Sequence, residues 1–331
     1  MADLKTTYMG IELANPLVVA ACSLSGMIDN IKKVADQGAG AMVIKSLFEE
    51  QIQHDSKELD DMLEEGENRY AEALDYFPKV EHAGAREHLM WVEKACASTD
   101  MPLIGSLNAV HGGAWVDFAR QMAATGVRAI ELNIYAVQAD INRGAADAEE
   151  ELFETFSAVR GATDLPIAVK LAPFYTSVGN VVKELQERGA NGVVLFNRFL
   201  QPDIVVATEK LLSRMSLSTR AEVRLPMRWI ALLYGRVGLD LVANSGIAKA
   251  EDAAKCLLAG ATAFQVASTL YREGVENIGT ILKGLASWMD EKRYATLADA
   301  RGKLSHKDFK GDPLALERAH YLDFLTSANK W

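Results

Sequence analysis

Two lysines stand at the ends of short apolar runs, Val43-Ile44-Lys45 and Ala168-Val169-Lys170. A lysine at such a place is rarely buried without a partner. Two of them facing one cavity call for an anion or an electron-rich ring. Other runs end in amides: Asn108 follows PLIGSL, Asn133 closes GVRAIELN, Asn197 closes GANGVVLFN and Asn244 closes LDLVAN. A single strand-end asparagine is more often a satisfied structural group than a ligand, so it is their convergence that matters. The stretch Glu131–Asp140, ELNIYAVQAD, has no Cys, Ser or His after its Asn, although such a loop is where proton-transfer groups are usually placed.

The elements that must position these residues follow a four-fold rhythm. Gly38–Lys45 (GAGAMVIK), Gly126–Asn133 (GVRAIELN), Gly189–Asn197 (GANGVVLFN) and Gly260–Ser268 (GATAFQVAS) each follow an amphipathic stretch. The glycine fits a helix C-terminus in the left-handed conformation, and the apolar run after it reads as a buried parallel strand. Four further runs, Pro16–Ala21, Pro102–Ser106, Pro166–Leu171 and Leu239–Asn244, interleave with them. Eight strand–helix units predict an α/β fold, a (β/α)8 TIM barrel. Two stretches break the rhythm, Leu47–Gly84 after strand two and Gln201–Pro226 after strand six, and read as insertions over the active-site face. Ile278–Trp331 reads as a C-terminal helical extension. The whole chain, 1–331, is expected to form one domain.

The 331 residues carry a formal net charge of −10, which argues against a nucleic-acid surface, since phosphate contacts need clustered Lys and Arg. No apolar run reaches the roughly 20 residues that span a bilayer, and the N-terminus lacks the apolar core of a signal peptide. Cys22, Cys96 and Cys256 are far apart, without metal-ligand spacing, and suit a reducing compartment. The expectation is a cytoplasmic protein with no membrane contact and no metal.

In a barrel, chemistry sits at the C-terminal ends of the strands. The last two of these ends, Asn244-Ser245-Gly246 and Ala267-Ser268, are small enough to expose backbone N–H groups. Barrels bind phosphate in this way after strands seven and eight. Together the two loops favour a phosphate-bearing ligand over a pair of ordinary tight turns.

With these pieces in order, the chain resembles the FMN-containing dihydroorotate dehydrogenases, particularly the soluble class 1 type, from Met9 to Gly284. The resemblance is carried by Asn15–Ala21, Val43–Ser46, Glu131–Asn133, Ala168–Pro173, the strand ending in Asn197, Ala243–Ile247 and Gly260–Ser268. It implies bound FMN, with its phosphate on Ser245, Gly246, Ala267 and Ser268, its ring against Ala20 and Ala21, and Ser46 and Asn197 also in contact. Lys170 would lie near the pyrimidine end of the ring, where a cation stabilises charge as the flavin accepts a hydride. Lys45 and Asn133 would touch both cofactor and substrate, with Asn68 and Asn197 as further substrate-facing amides. The implied activity is oxidation of a CH–CH bond in a small cyclic carboxylate or amide, dihydroorotate to orotate by default, in pyrimidine biosynthesis. The electron acceptor is unspecified, and a homodimer is the family's common state.

One departure bears on mechanism. The class 1 loop reads Asn-x-Ser-Cys-Pro-Asn, with Cys or Ser as the proton acceptor; here it is Asn133-Ile-Tyr135-Ala136-Val-Gln138. Ala136 cannot take a proton, and a positioned base typically contributes about 10²–10⁴-fold in rate. His111, Tyr135 and Cys22 are the candidate substitutes. Two other readings stay open: a flavin-binding electron carrier without dihydroorotate chemistry, and a non-redox barrel acting on a sugar phosphate through a lysine Schiff base.

Overall fold

The computed structural model describes residues 2–48, 85–109, 112–134, 137–198, 202–212, 216–308, 310 and 314–318. Eight strands form the centre: β1 Leu17–Val19, β2 Ala41–Val43, β3 Leu103–Ala109, β4 Ala129–Ile134, β5 Ile167–Leu171, β6 Gly192–Leu195, β7 Asp240–Asn244 and β8 Ala263–Val266. Each pairs in parallel with the next, and β8 pairs with β1, which closes the ring. This is the (β/α)8 barrel that the alternating pattern predicts. Strands β4, β5, β6 and β8 are buried at every position, as required where helices cover one face and the lumen the other.

The helices run in step with the strands: α1 Ile28–Asp36, α2 Ala85–Cys96, α3 Gly112–Ala124, α4 Ala145–Arg160, α5 Val178–Glu187, α6 Arg224–Leu233, α7 Ala250–Ala259 and α8 Ser268–Glu273. Helix α5 shows why they lie down on the sheet. Val178, Val181, Val182 and Leu185 are its buried residues, one stripe at helical spacing. The glycines preceding β2, β4, β6 and β8 all have positive φ, so the rhythm in the sequence is a rhythm of helix stops.

An antiparallel hairpin, Thr6–Tyr8 with Ile11–Leu13, seals the N-terminal end of the barrel. Its apolar residues Tyr8, Met9, Ile11 and Leu13 join Val18, Ala41, Val43, Ile104, Ala129, Ala168, Val194, Val242 and Ala263 in one buried cluster. The floor of the lumen is therefore dry and packed, and polar side chains begin above it.

After β6 the insertion contains an exposed hairpin, Asp203–Val205 with Lys210–Leu212, and a 3-10 turn, Arg220–Val223. It ends earlier than the sequence suggests, because α6 takes Pro226 into its first turn, where the missing N–H costs no helical bond. The insertion after β2 falls mostly outside the described residues. The C-terminal extension contains α9 Asn277–Lys292, α10 Leu297–Ala300 and α11 Leu314–Glu317, and α9 packs on α7. No described helix is long and apolar enough to cross a membrane.

Candidate active site

The inward-facing side chains of β4, β5 and β8 meet across the lumen in a closed triangle. Lys170 Nζ donates to Glu131 Oε1 at 3.2 Å and to Gln265 Oε1 at 3.1 Å. Gln265 Nε2 donates to the other carboxylate oxygen of Glu131. All three are buried, and Glu131 is 1% exposed. The partner of a buried lysine is therefore a carboxylate on the adjacent strand. Two of the three ammonium donors are used, and the third has no partner among the described residues. Lys170 and Gln265 also line a cleft of about 280 Å³ at the C-terminal mouth of the barrel.

One wall of that cleft is Ala20, Ala21, Cys22 and Ser23 from the end of β1; another is Asn197 and Arg198 after β6. Small residues make the β1 wall flat. The far end is built from Asn244, Ser245, Gly246 and Ile247 after β7 and Ala267 and Ser268 after β8. Ser245 has φ 83° and Gly246 φ 76°, a left-handed turn from which the Gly246 N–H points at the Ser218 hydroxyl. A Cβ on Gly246 would lie 2.3 Å from the Val223 nitrogen and 2.9 Å from the Thr219 oxygen, so only glycine fits. Below this loop Asp252 is 1% exposed, accepts from the Ala248 and Lys249 N–H groups, and takes both arms of Arg220 at 2.8 Å. The β7 loop is thereby fixed to the start of α7.

A strap from the insertion crosses this end. Ser218 Oγ accepts from the Gly246 N–H at 3.3 Å, and the Ser218 N–H donates to Ser268 Oγ at 3.0 Å. Arg272, on α8, donates to the carbonyls of Leu217 and Ser218. Arg198 is tied to the same strap by Glu222, at 3.0 Å, and by Ser216. The arginine beside Asn197 is thus engaged by an acid of the insertion.

On the opposite side Asn133 is buried and both of its amide donors are used, on Ser106 Oγ at 2.9 Å and the Leu107 carbonyl at 3.2 Å. Ser106 in turn shares a 2.7 Å bond with Ser46. Only the amide oxygen of Asn133 is left for a ligand, so this residue suits an N–H donor rather than a carboxylate. Lys45 is exposed, two residues past the end of β2, and does not line the cleft. Of the two lysines that the sequence suggests face one cavity, Lys170 lines this cleft, and Lys45 is not among its described lining residues.

Cys22 is the described member of the substitute bases. Burial is the largest influence on its thiol and pushes the pKa up, with hydrogen bonds and Lys170 opposing. A thiol held above its ordinary value gives up its proton less readily, which makes Cys22 a poorer base than an unperturbed cysteine. Tyr271, at the mouth, binds the Ser23 N–H and hydroxyl, and its pKa too is raised by burial. Asn68, His111, Tyr135 and Ala136 lie outside the described residues. Sequence reasoning missed Gln265 and the pairing role of Glu131, although both are polar residues inside apolar runs (AFQV, AIELN). It also missed Ser216–Ser218, which carries no such signal.

A family profile described as dihydroorotate dehydrogenase matches residues 3–289. The chain belongs to the dihydroorotate dehydrogenase family. It is 28% identical over 312 residues to a dihydroorotate dehydrogenase B (NAD(+)) catalytic subunit of Methanothermobacter thermautotrophicus, covering 92% of this chain and 98% of that one. A protein of the same description from Thermoplasma acidophilum is 25% identical, covering 91% of this chain and 99% of its own length. A dihydroorotate dehydrogenase A (fumarate) of Lacticaseibacillus paracasei is 32% identical over 190 residues, 56% of this chain and 65% of the relative. Membership makes this chain an oxidoreductase, and the barrel mouth is where the family's chemistry has to be sought. Among the described residues there is no His, Cys, Asp and Glu cluster suited to a metal.

Proposed function

We propose that the cleft holds FMN and that the protein oxidises dihydroorotate to orotate, breaking a CH–CH bond of the cyclic substrate. The observation that carries this reading is the anchored ammonium of Lys170 in a cleft that is also lined by the small residues of the β7 and β8 loops, Ser245, Gly246, Ala267 and Ser268. A buried cation together with the small, phosphate-sized loops at Gly246 and Ser268 matches a ligand with a charge-accepting ring and a phosphate. Bound here, FMN supplies a two-electron acceptor.

The chain's own residues then divide the work. Lys170 directs its remaining N–H at the edge of the ring and favours the electron-rich form. Ala20 and Ala21 give the ring a flat wall. Gly246 and Ser268, with Ser245 and Ala267, would hold the phosphate. Asn133 offers an acceptor to a ring N–H, Asn197 contacts the ligand from the cleft wall, and Lys45, exposed beside the cleft, would reach the substrate together with Ser46 and Asn68. The proton falls to His111 or Tyr135, since burial raises the Cys22 thiol above its ordinary range and Ala136 has no basic atom. Electrons leave to an acceptor outside this chain, consistent with the archaeal relatives being described as catalytic subunits.

A second reading is favoured by Ala136 alone: the same cofactor serves a different cyclic carboxylate or amide that needs no base at that position. Anaerobic titration of the FMN-loaded protein with dihydroorotate, followed by flavin absorbance, separates the two. Bleaching supports dihydroorotate oxidation. A flavin that dithionite reduces and dihydroorotate does not would replace the first reading with the second.

A further inference from the structure

We propose that Glu131 is a positioning residue that sets both the aim of Lys170 and the reduction potential of the cofactor above it; this rests on the reading that FMN occupies the cleft. Lys170 is a flexible side chain that has been made rigid. Two of its donors are fixed by Glu131 Oε1 and Gln265 Oε1, at 3.2 and 3.1 Å, and Glu131 is itself fixed by Gln265 Nε2. Because the three residues come from three strands, one of them across the lumen, no single loop movement can loosen the triangle. The remaining N–H is left to the cleft.

The same arrangement places a negative charge directly beneath the positive one. Glu131 is 1% exposed, so solvent screens its field poorly. Tyr8, buried below, registers that field: its hydroxyl pKa is raised well above the ordinary value, first by burial and then by Glu131 and Asp240. A ring lying over Lys170 is therefore exposed to an ammonium opposed by a carboxylate. Glu131 has two effects of opposite sign. By aiming Lys170 it favours the reduced, electron-rich ring; by its own charge it disfavours that state.

The two effects are separable by substitution. Glu131→Gln keeps an acceptor facing Lys170 and removes the charge, so the FMN midpoint potential should rise. A tenfold gain in binding of reduced over oxidised FMN corresponds to about 30 mV for a two-electron couple. Glu131→Asp keeps the charge, but its shorter side chain draws Lys170 away from the cleft, so the potential should fall. Lys170→Met should lower it further. A purely structural role for Glu131 would move its two variants in the same direction.

The experiment is spectroelectrochemical titration of the FMN-loaded, full-length wild type and these three variants, with FMN affinity measured alongside. Opposite shifts for Glu131→Gln and Glu131→Asp, with a fall for Lys170→Met, support the assignment. If Lys170→Met lowers the potential while Glu131→Gln leaves it unchanged or lowers it, the Glu131 role is wrong and the cofactor placement stands. Unchanged affinity and potential in Lys170→Met overturn the placement, and the Glu131 role with it. Should Glu131→Gln fail to fold, an unchanged or raised potential in Glu131→Asp refutes the assignment.

Discussion

Replacing Lys170 by Met in the cofactor-free protein tests how the barrel tolerates charge in its centre. Methionine fills nearly the same volume, so little packing is lost. What changes is Glu131, which is 1% exposed and keeps only Gln265 as a donor. Removing one partner of a buried ion pair typically costs about 3–5 kcal/mol, because the remaining charge is neither solvated nor paired. Against a typical total stability of about 5–15 kcal/mol, the substitution should lower the urea midpoint markedly without changing the m-value. Glu131→Gln should cost less, about 2 kcal/mol by the scale for hydrogen bonds to charged groups, because Lys170 reaches the solvent of the cleft. The double variant removes both charges, and its cost should be about 3 kcal/mol rather than the roughly 6 expected of independent sites. Equilibrium urea unfolding followed by tryptophan fluorescence measures all three. Additive penalties, or a cost below about 1 kcal/mol for Lys170→Met, would refute the view that Glu131 is an obligate counter-ion.

Two further outcomes follow from local geometry. Gly246→Ala should cost about 2–4 kcal/mol, combining a left-handed backbone with overpacking against Val223 and Thr219, and should weaken FMN binding; wild-type unfolding and affinity together would show that the loop yields freely. Cys256 is fully buried and its thiol is pushed up to about 12, first by burial and then by Asp252. A folded pKa above the unfolded one, near 9, gives stability that is complete below pH 9 and is lost as pH rises toward 12. Between pH 8 and 10.5 the wild type should therefore lose about 2 kcal/mol more than Cys256→Ala, and equal losses in denaturant titrations at the two pH values would disprove it.

The barrel was legible because its signals are local and repeated. A glycine at positive φ stops each helix before an even-numbered strand, and apolar runs buried on both faces mark the strands. The sealing hairpin was not legible: strands of three residues, each buried–exposed–buried, are too short for a period to register. The site was half legible. Strand ends identified Lys170, Asn133 and the β7 and β8 loops, since topology alone sends them to one mouth. Their partners depend on which inward residues reach one another across the lumen, and that is set by strand stagger. Glu131 sits two residues before Asn133 in plain view, yet nothing local says that it pairs with Lys170 on β5 and Gln265 on β8. Lys45 shows the converse. It ends the same kind of run as Lys170, but it falls in the gap between the two stretches that pair with β3, Ala41–Val43 and Leu47–Phe48, and is exposed there.

This division between strands and loops also bears on Ala136. The groups that would stabilise charge on a bound ring are carried by β4, β5 and β8, where each side chain is fixed by two others and a substitution is felt by the whole triangle. Ala136, where the class 1 loop carries Cys, comes after β4 in the sequence and is no part of the ladder between Glu131 and Ala168. A substitution at position 136 would therefore leave the Glu131–Lys170–Gln265 triangle intact. On the proposed reading, a barrel of this design can exchange its substrate, or move proton transfer to a neighbouring loop, while the charged triangle stays anchored in the core.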